Sequence, residues 1–307
     1  MAMNGYDKVG FFGSVTLDLT VSGDPGVPAG LGGYKRDVHY EISLGGGAIN
    51  AARQARTLQA AVSLVAVLGA DDMGGLQQQL LRREFPQVTT APLLPVSRIS
   101  LLQGDSCLTS RPPLSVTQPP GDVLEELADC RSVLIGPGVP EDCGVLLRLL
   151  EGLPVHTLRL LQLSDRQLRD RQSAAALMGA SDLLLINESE ACVFAGRQYP
   201  DAAFATVREC CGGDVVLTSS RGVLASCAGR DIQRAACAVA EVRRTVGAGD
   251  VLAGTLVTGL AEGRGLEESV DLALAAAAIH VAARRMPNST DELLAAAHEC
   301  RSAGCLA

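Results

Sequence analysis

The chain has 307 residues, of which 47% are hydrophobic, 20% charged and 3% aromatic, with no Trp and a net charge of −8. This is ordinary globular usage, which argues against disorder and fibrous structure. The acidic balance, without a dense basic run, argues against nucleic acid and anionic membrane surfaces as partners, since both require a positive footprint. In chain order, Val9 to Phe12 opens a strand and residues 15–21 continue extended. After a Gly/Pro loop at 23–33, residues 38–43 form a second extended piece. Residues 48–58 are rich in Ala, Gln and Arg and predict a helix, residues 62–68 a buried strand, and residues 73–83 another helix. From Val88 to about Pro120 the chain turns rich in Pro, Ser and Thr, which predicts a small β excursion.

Beyond Gly121 strands alternate with helices. The runs 132–136, 158–163, 182–186 and 214–218 are nearly continuous apolar segments separated by helical ones. That pattern implies a parallel sheet covered on both faces. From Ala248 onward three helices are expected, ending near Cys300. The predicted fold class is α/β, a doubly wound and mostly parallel sheet with a small β-sheet lid built from residues near 14–44 and 95–117. In such sheets ligands bind at the carboxyl ends of the strands. The ten cysteines and four histidines show no ligand spacing and no C-x-x-C pair, so free thiols are expected rather than zinc or disulfides. The first residues carry no charged leader with an apolar core, and no apolar run reaches the roughly 20 residues of a membrane span. A reducing cytoplasm is the expected compartment.

Phosphate chemistry leaves a Gly-rich trace. No Gly-Lys pair exists, which excludes a Walker A loop, and Leu252 stands where a dinucleotide fingerprint needs its third glycine. What remains is Thr245-Val-Gly-Ala-Gly-Asp250 before the helical run 251–261. Small residues at a helix N-terminus let backbone N–H groups face an anion, and Asp250 would lie in the first turn as a proton acceptor. The spacing alone reads equally as an ordinary Gly-rich turn with an acidic helix start.

Four segments, taken together and in order, resemble the ribokinase or PfkB carbohydrate kinase family. Gly13 to Asp18 resembles its early G-x-x-x-x-D, Gly45 to Asn50 its G-G-x-x-x-N, Asn187 to Glu190 its N-x-x-E, and Thr245 to Asp250 its carboxy-terminal signature. The resemblance spans roughly residues 8–285 and implies a single kinase domain over 1–307. It implies that Asp250 is the catalytic base and that the amides of Gly247, Ala248 and Gly249 hold the transferring phosphoryl group. It places Asn187 and Glu190 near Mg²⁺, through water, and Thr218, Ser219, Gly222 and Thr245 against ATP. Asn187 and Glu190 also fit a capping box. Asp18, Gly45, Gly46 and Asn50 would bind the acceptor, a sugar of ribose, fructose or keto-sugar type; the alternatives are a nucleoside kinase of adenosine or pseudouridine type and a family member that binds a ligand without catalysis.

Several positions depart from the family pattern. Arg244 replaces an Asp, Ser219 replaces a glycine, and Gln162 replaces the first Asp of a D-P-N-x-R stretch. The segment 284–287 lacks the small residues of a monovalent-cation loop, so activation by potassium is not expected. The position of Gly47, often Lys in relatives, is neutral, which favours an unphosphorylated acceptor. Open strand edges in the lid suggest a homodimer.

Overall fold

The structure is a computed structural model that describes residues 8–22, 39–103, 106–109, 121–136, 143–283 and 285–302. β1 (Lys8–Ser14) passes through Val15 into β2 (Thr16–Ser22), and β3 (His39–Gly45) runs almost directly into α1 (Gly47–Thr57). Then come β4 (Ala61–Gly69), α2 (Asp72–Glu84), β5 (Thr89–Leu94), β6 (Arg98–Gln103) and β7 (Ser106–Thr109). From α3 (Gly121–Leu127) the alternation is regular: β8 (Ser132–Ile135), α4 (Cys143–Gly152), β9 (Leu158–Leu161), α5 (Asp165–Arg169), α6 (Arg171–Gly179), β10 (Leu183–Asn187), α7 (Glu188–Ala195), α8 (Pro200–Cys210) and β11 (Asp214–Ser219). A meander of β12 (Gly222–Cys227) and β13 (Arg230–Ala235) leads to α9 (Ala248–Ala261), α10 (Leu266–Ala283) and α11 (Thr290–Ser302).

The main sheet has the order β13-β12-β11-β10-β9-β8-β1-β4-β5, parallel from β11 to β5, with β12 and β13 antiparallel at one edge. β1 is central because its residues are apolar in both directions. Phe11 packs with α1, α9 and α10 on one face, and Phe12 packs with α3, α4, α6 and α7 on the other. Both rings are fully buried, and each contributes about 1.5–3 kcal/mol through burial. The chain proceeds outward from β1 through β4 to β5, then restarts on the opposite side at β8. The crevice between β1 and β8 is therefore the switch point, where open α/β sheets bind ligands.

β3-β2-β6-β7 form a separate four-stranded sheet. Residues 23–38, 104–105 and 110–117 of the expected lid lie outside the described residues, as do residues 137–142 and Arg284. In this sheet Asp18 is flanked across the strands by Ser43 and Ser100. The opposite face carries Leu17, Leu19, Val21, Tyr40, Ile42, Ile99 and Leu101. One expectation is corrected. Cys237 and Cys300, expected as free thiols, form a disulfide with Cα atoms 5.5 Å apart. The exit of β13 and the end of α11 meet at the edge of one core, a juxtaposition that a sequence separation of 63 conceals. Among the described residues no helix is long and apolar enough to cross a membrane.

Candidate active site

The first cluster of expected residues begins where β3 turns into α1. Gly46 caps α1 at φ +113°, a conformation that L side chains rarely adopt, and a Cβ there would lie 2.3 Å from the Ser14 carbonyl. A Cβ at Gly45 would lie 1.9 Å from Asp18 Oδ2, so the missing side chain makes room for that carboxylate. Thr16 Oγ1 donates to Asp18 Oδ1 at 2.8 Å. Burial raises the pKa of Asp18, opposed by hydrogen bonds from Thr16 and Ser100 and by the charges of Arg53 and Arg244.

Asn50, on the first turn of α1, donates from Nδ2 to Asp250 Oδ2 at 2.8 Å across 200 residues of sequence. The orientation of this amide is settled by Arg53, whose Nη1 donates to Asn50 Oδ1 at 2.9 Å and to the Leu44 carbonyl at 2.7 Å. Glu84 in turn holds Arg53 through bonds of 2.6 and 2.8 Å. Sequence reasoning missed Arg53 and Glu84. The available signal was the spacing of Asn50 and Arg53, three apart on one helix face; nothing local pointed to Glu84.

Thr245 to Asp250 forms the start of α9. Gly247 is the N-cap at φ +88°. The Ala248 amide donates to the Thr245 carbonyl at 3.1 Å, and Val251 donates to Gly247 at 3.0 Å. Among the described residues the Gly247 and Gly249 amides have no protein acceptor, and a Cβ at Gly249 would meet only open space. Two of the three expected donors are therefore free, while the third closes the turn. Asp250 is half-buried. Burial raises its pKa, the Asn50 hydrogen bond and the charge of His280 lower it, and the nearby charge of Asp18 raises it further.

The other expected residues gather at the β10–β11 edge. Asn187 and Thr218 are register partners at the carboxyl ends of these strands. Asn187 Oδ1 accepts from the Glu190 amide, and Glu190 Oε2 accepts from the Asn187 amide, both at 2.9 Å, forming a reciprocal capping box on α7. Burial pushes Glu190 up to about 7, opposed by its bonds to Asn187 and reinforced by the charge of Asp165. Asp165, at the start of α5, is another neighbour that sequence reasoning missed. Among the described residues no group of three or more His, Cys, Asp or Glu side chains could hold a metal. Asn187 and Glu190 carry hard oxygens of the kind a hydrated magnesium ion takes, and a cation beside Glu190 would relieve the raised pKa that burial and the charge of Asp165 give it.

Ser219 and Gly222 face each other across the two-residue turn between β11 and β12. Ser219 Oγ accepts from the Arg221 amide at 3.1 Å and donates to the Gly222 carbonyl at 3.2 Å. The hydroxyl of Ser219 therefore closes the turn. Beside the turn lies a groove of about 640 Å³, lined by Glu188, Pro200, Ser219, Arg221, Gly222 and Arg234. Arg221 pairs with Glu188 at 2.5 Å on its rim. Arg244 is exposed, and its charge acts on Asp18. Among the described residues no hydrogen bond joins the Asp250 group to the Glu190 group; they share the carboxyl edge of one sheet.

Residues 152–292, which carry both the capped Asn187–Glu190 turn and the start of α9, match the family described as pfkB family carbohydrate kinase. No curated protein matches the chain. Among solved structures, phosphofructokinase-2 from Escherichia coli in complex with potassium superposes with a TM-score of 0.75 at 20% identity, covering 96% of this chain and 99% of that one. Arabidopsis thaliana ribokinase complexed with ribose and ATP gives a TM-score of 0.73 at 20% identity over 94% and 98%. A Thermotoga maritima ribokinase gives 0.69 at 18% over 94% and 98%. The ribokinase-like architecture thus extends over nearly the whole chain, well beyond the segment matched as pfkB.

Proposed function

We propose that the protein is an ATP-dependent kinase that transfers the γ-phosphoryl group to a hydroxymethyl group of a sugar of ribose, fructose or keto-sugar type. It acts as one kinase domain over 1–307, with the small sheet as its lid. The observation that carries this reading is the Asn50–Asp250 bond beside the free Gly247 and Gly249 amides at the start of α9. Asp18, the Gly45–Gly46 backbone and Asn50 orient the acceptor hydroxyls. Asp250 then takes the proton of the attacking hydroxyl, a role in which a positioned base typically contributes 10²–10⁴-fold. The Gly247 and Gly249 N–H groups stabilise charge on the phosphoryl oxygens, each worth a few kcal/mol where water is excluded. Asn187 and Glu190 would hold a magnesium ion through water, and that ion would supply charge neutralisation across the phosphates. Thr218, Ser219, Gly222 and Thr245 contact the nucleotide. Closing the small sheet over the acceptor excludes water and limits wasteful hydrolysis.

Two further features belong to this reading. The apolar face of the small sheet, with Tyr40 72%, Ile42 51%, and Ile99 and Leu101 each 40% exposed, suits a homodimer built lid to lid, a stronger argument than open strand edges alone. The compartment is the cytoplasm, where ATP is available. Six described cysteines remain thiols in keeping with this, and the Cys237–Cys300 bond is the observation against it.

A coupled ADP-release assay with ribose, fructose, 2-keto-3-deoxygluconate, adenosine and pseudouridine tests the reading. ADP release above the no-acceptor rate with a sugar is expected. Turnover of only the two nucleosides would move the acceptor class. No turnover with any acceptor, while ATP still raises the Tm, would leave a ligand-binding protein in place of a kinase.

A further inference from the structure

His280 lies on α10, 7% exposed, and none of the expected site residues accounts for it. Its Nε2 is 3.0 Å from the Val246 carbonyl. A carbonyl only accepts, so Nε2 carries the hydrogen and the bond runs from the ring to the backbone. Nδ1 is buried with no hydrogen-bond partner. An unpaired buried nitrogen costs on the order of 1–3 kcal/mol, which an apolar residue of similar size would avoid. Packing alone therefore does not explain a histidine here, whereas the bond made by the other nitrogen does.

The consequence follows from the geometry of one peptide unit. Val246 C=O and Gly247 N–H belong to the same plane and point in opposite directions, because the peptide is trans. Holding the carbonyl toward α10 turns the Gly247 N–H away from α10, into the open corner before α9. Without that anchor the flanking glycine would let the unit rotate, since φ at Gly247 is already +88°. The ring also reserves the space, as a Cβ at Gly247 would lie 3.3 Å from Nε2. Its charge, when present, acts on Asp250.

We propose that His280 is a positioning residue that locks the 246–247 peptide so that the Gly247 amide faces the phosphoryl group in transfer. The inference rests on the kinase reading of this corner, and its test separates the two. His280→Phe keeps volume and removes the donor, whereas His280→Gln restores an N–H donor. Expected for His280→Phe is a kcat lowered about 10- to 100-fold, short of the full loss of an anion-hole donor. KM values for acceptor and ATP stay within about twofold and the Tm is kept or raised, because the orphaned nitrogen is gone. His280→Gln recovers a large part of kcat. An unchanged kcat in His280→Phe, or equal impairment of both variants with a parallel fall in Tm, overturns the inference. The second readout is the amide NMR spectrum of the full chain with bound ADP, in which His280→Phe must shift the Gly247 resonance and change its solvent exchange. An unmoved Gly247 amide overturns the positioning role even if wild type transfers phosphoryl to no acceptor, a result that would sink only the kinase reading.

Discussion

In the proposed reading the corner around Asp250 takes the acceptor and the β10–β11 edge the nucleotide, and the two are built in opposite ways. At the acceptor corner Glu84, Arg53, Asn50 and Asp250 form a chain of side-chain bonds drawn from three helices, with the decisive contact between residues 200 apart. At the nucleotide edge the side-chain bonds of the expected residues are local: Asn187 caps Glu190 three residues on, and Ser219 closes a turn onto Gly222, with the Arg221–Glu188 pair on the rim as the longer link. A corner assembled from distant parts should lose function when any one part is removed, and its losses should overlap. A locally folded edge should lose binding piece by piece, with the rest intact.

The largest expected effect is at the corner. Asp250→Asn should lower kcat by about 10³-fold or more, within the range for a positioned base, and leave nucleotide binding by calorimetry nearly unchanged. Near wild-type turnover would remove Asp250 from the role of base. Next comes Asn50→Ala. It deletes a hydrogen bond that lowers the Asp250 pKa, so the carboxylate protonates at higher pH and the acidic limb of the kcat profile moves upward. Combined with Asp250→Asn it should add little further loss, whereas additive losses would show that the two residues act independently.

At the nucleotide edge the expected effect is smaller and depends on pH. Glu190 is pushed up from 4.5 to about 7 in the fold. A carboxyl with a raised folded pKa stabilises the protein fully below its ordinary value and loses that contribution as pH rises through the folded one. Without nucleotide or magnesium the Tm should therefore decline between about pH 4.5 and 7, by at most about 3 kcal/mol in stability. Glu190→Gln keeps an oxygen to accept the Asn187 amide and should flatten that decline, while weakening magnesium-dependent nucleotide binding. A slope that persists in the variant would trace the titration to another group.

The same contrast explains what could be read from the sequence. The alternating apolar runs revealed the parallel sheet, because each strand is covered on both faces and its burial is written locally. Asn187–Glu190 was legible as a capping box because its partners are near neighbours in sequence, and Thr245–Asp250 was legible as a Gly-rich helix start because its turn closes locally, whereas the bond from Asn50 to Asp250 was not. Glu84 and His280 were not. Each acts through a contact that exists only after helices far apart in the chain have packed, Glu84 on Arg53 and His280 on Val246. The Cys237–Cys300 bond escaped for the same reason. A family pattern points to residues that touch ligand, whereas those that hold them in place are chosen by the packing around them.

The smallest expected effect lies behind the acceptor corner. Gln54, one turn beyond Asn50 on α1, is fully buried, and neither atom of its amide finds a hydrogen-bond partner. The amide sits where α1 and α9 approach so closely that a Cβ on Gly254 would fall 2.9 Å from Gln54 Cβ. If that seam is dry, the unpaired amide is a standing cost, and Gln54→Met, of similar length, should raise stability by about 1 kcal/mol. With Asn50 undisturbed, kcat should not change. If instead the variant loses stability, the amide is holding an internal water, because a buried polar group is worth keeping only when something completes its bonds. The corner would then be braced by a solvent molecule between its two helices, and Gln54 would join Arg53 as a support of the Asn50–Asp250 pair.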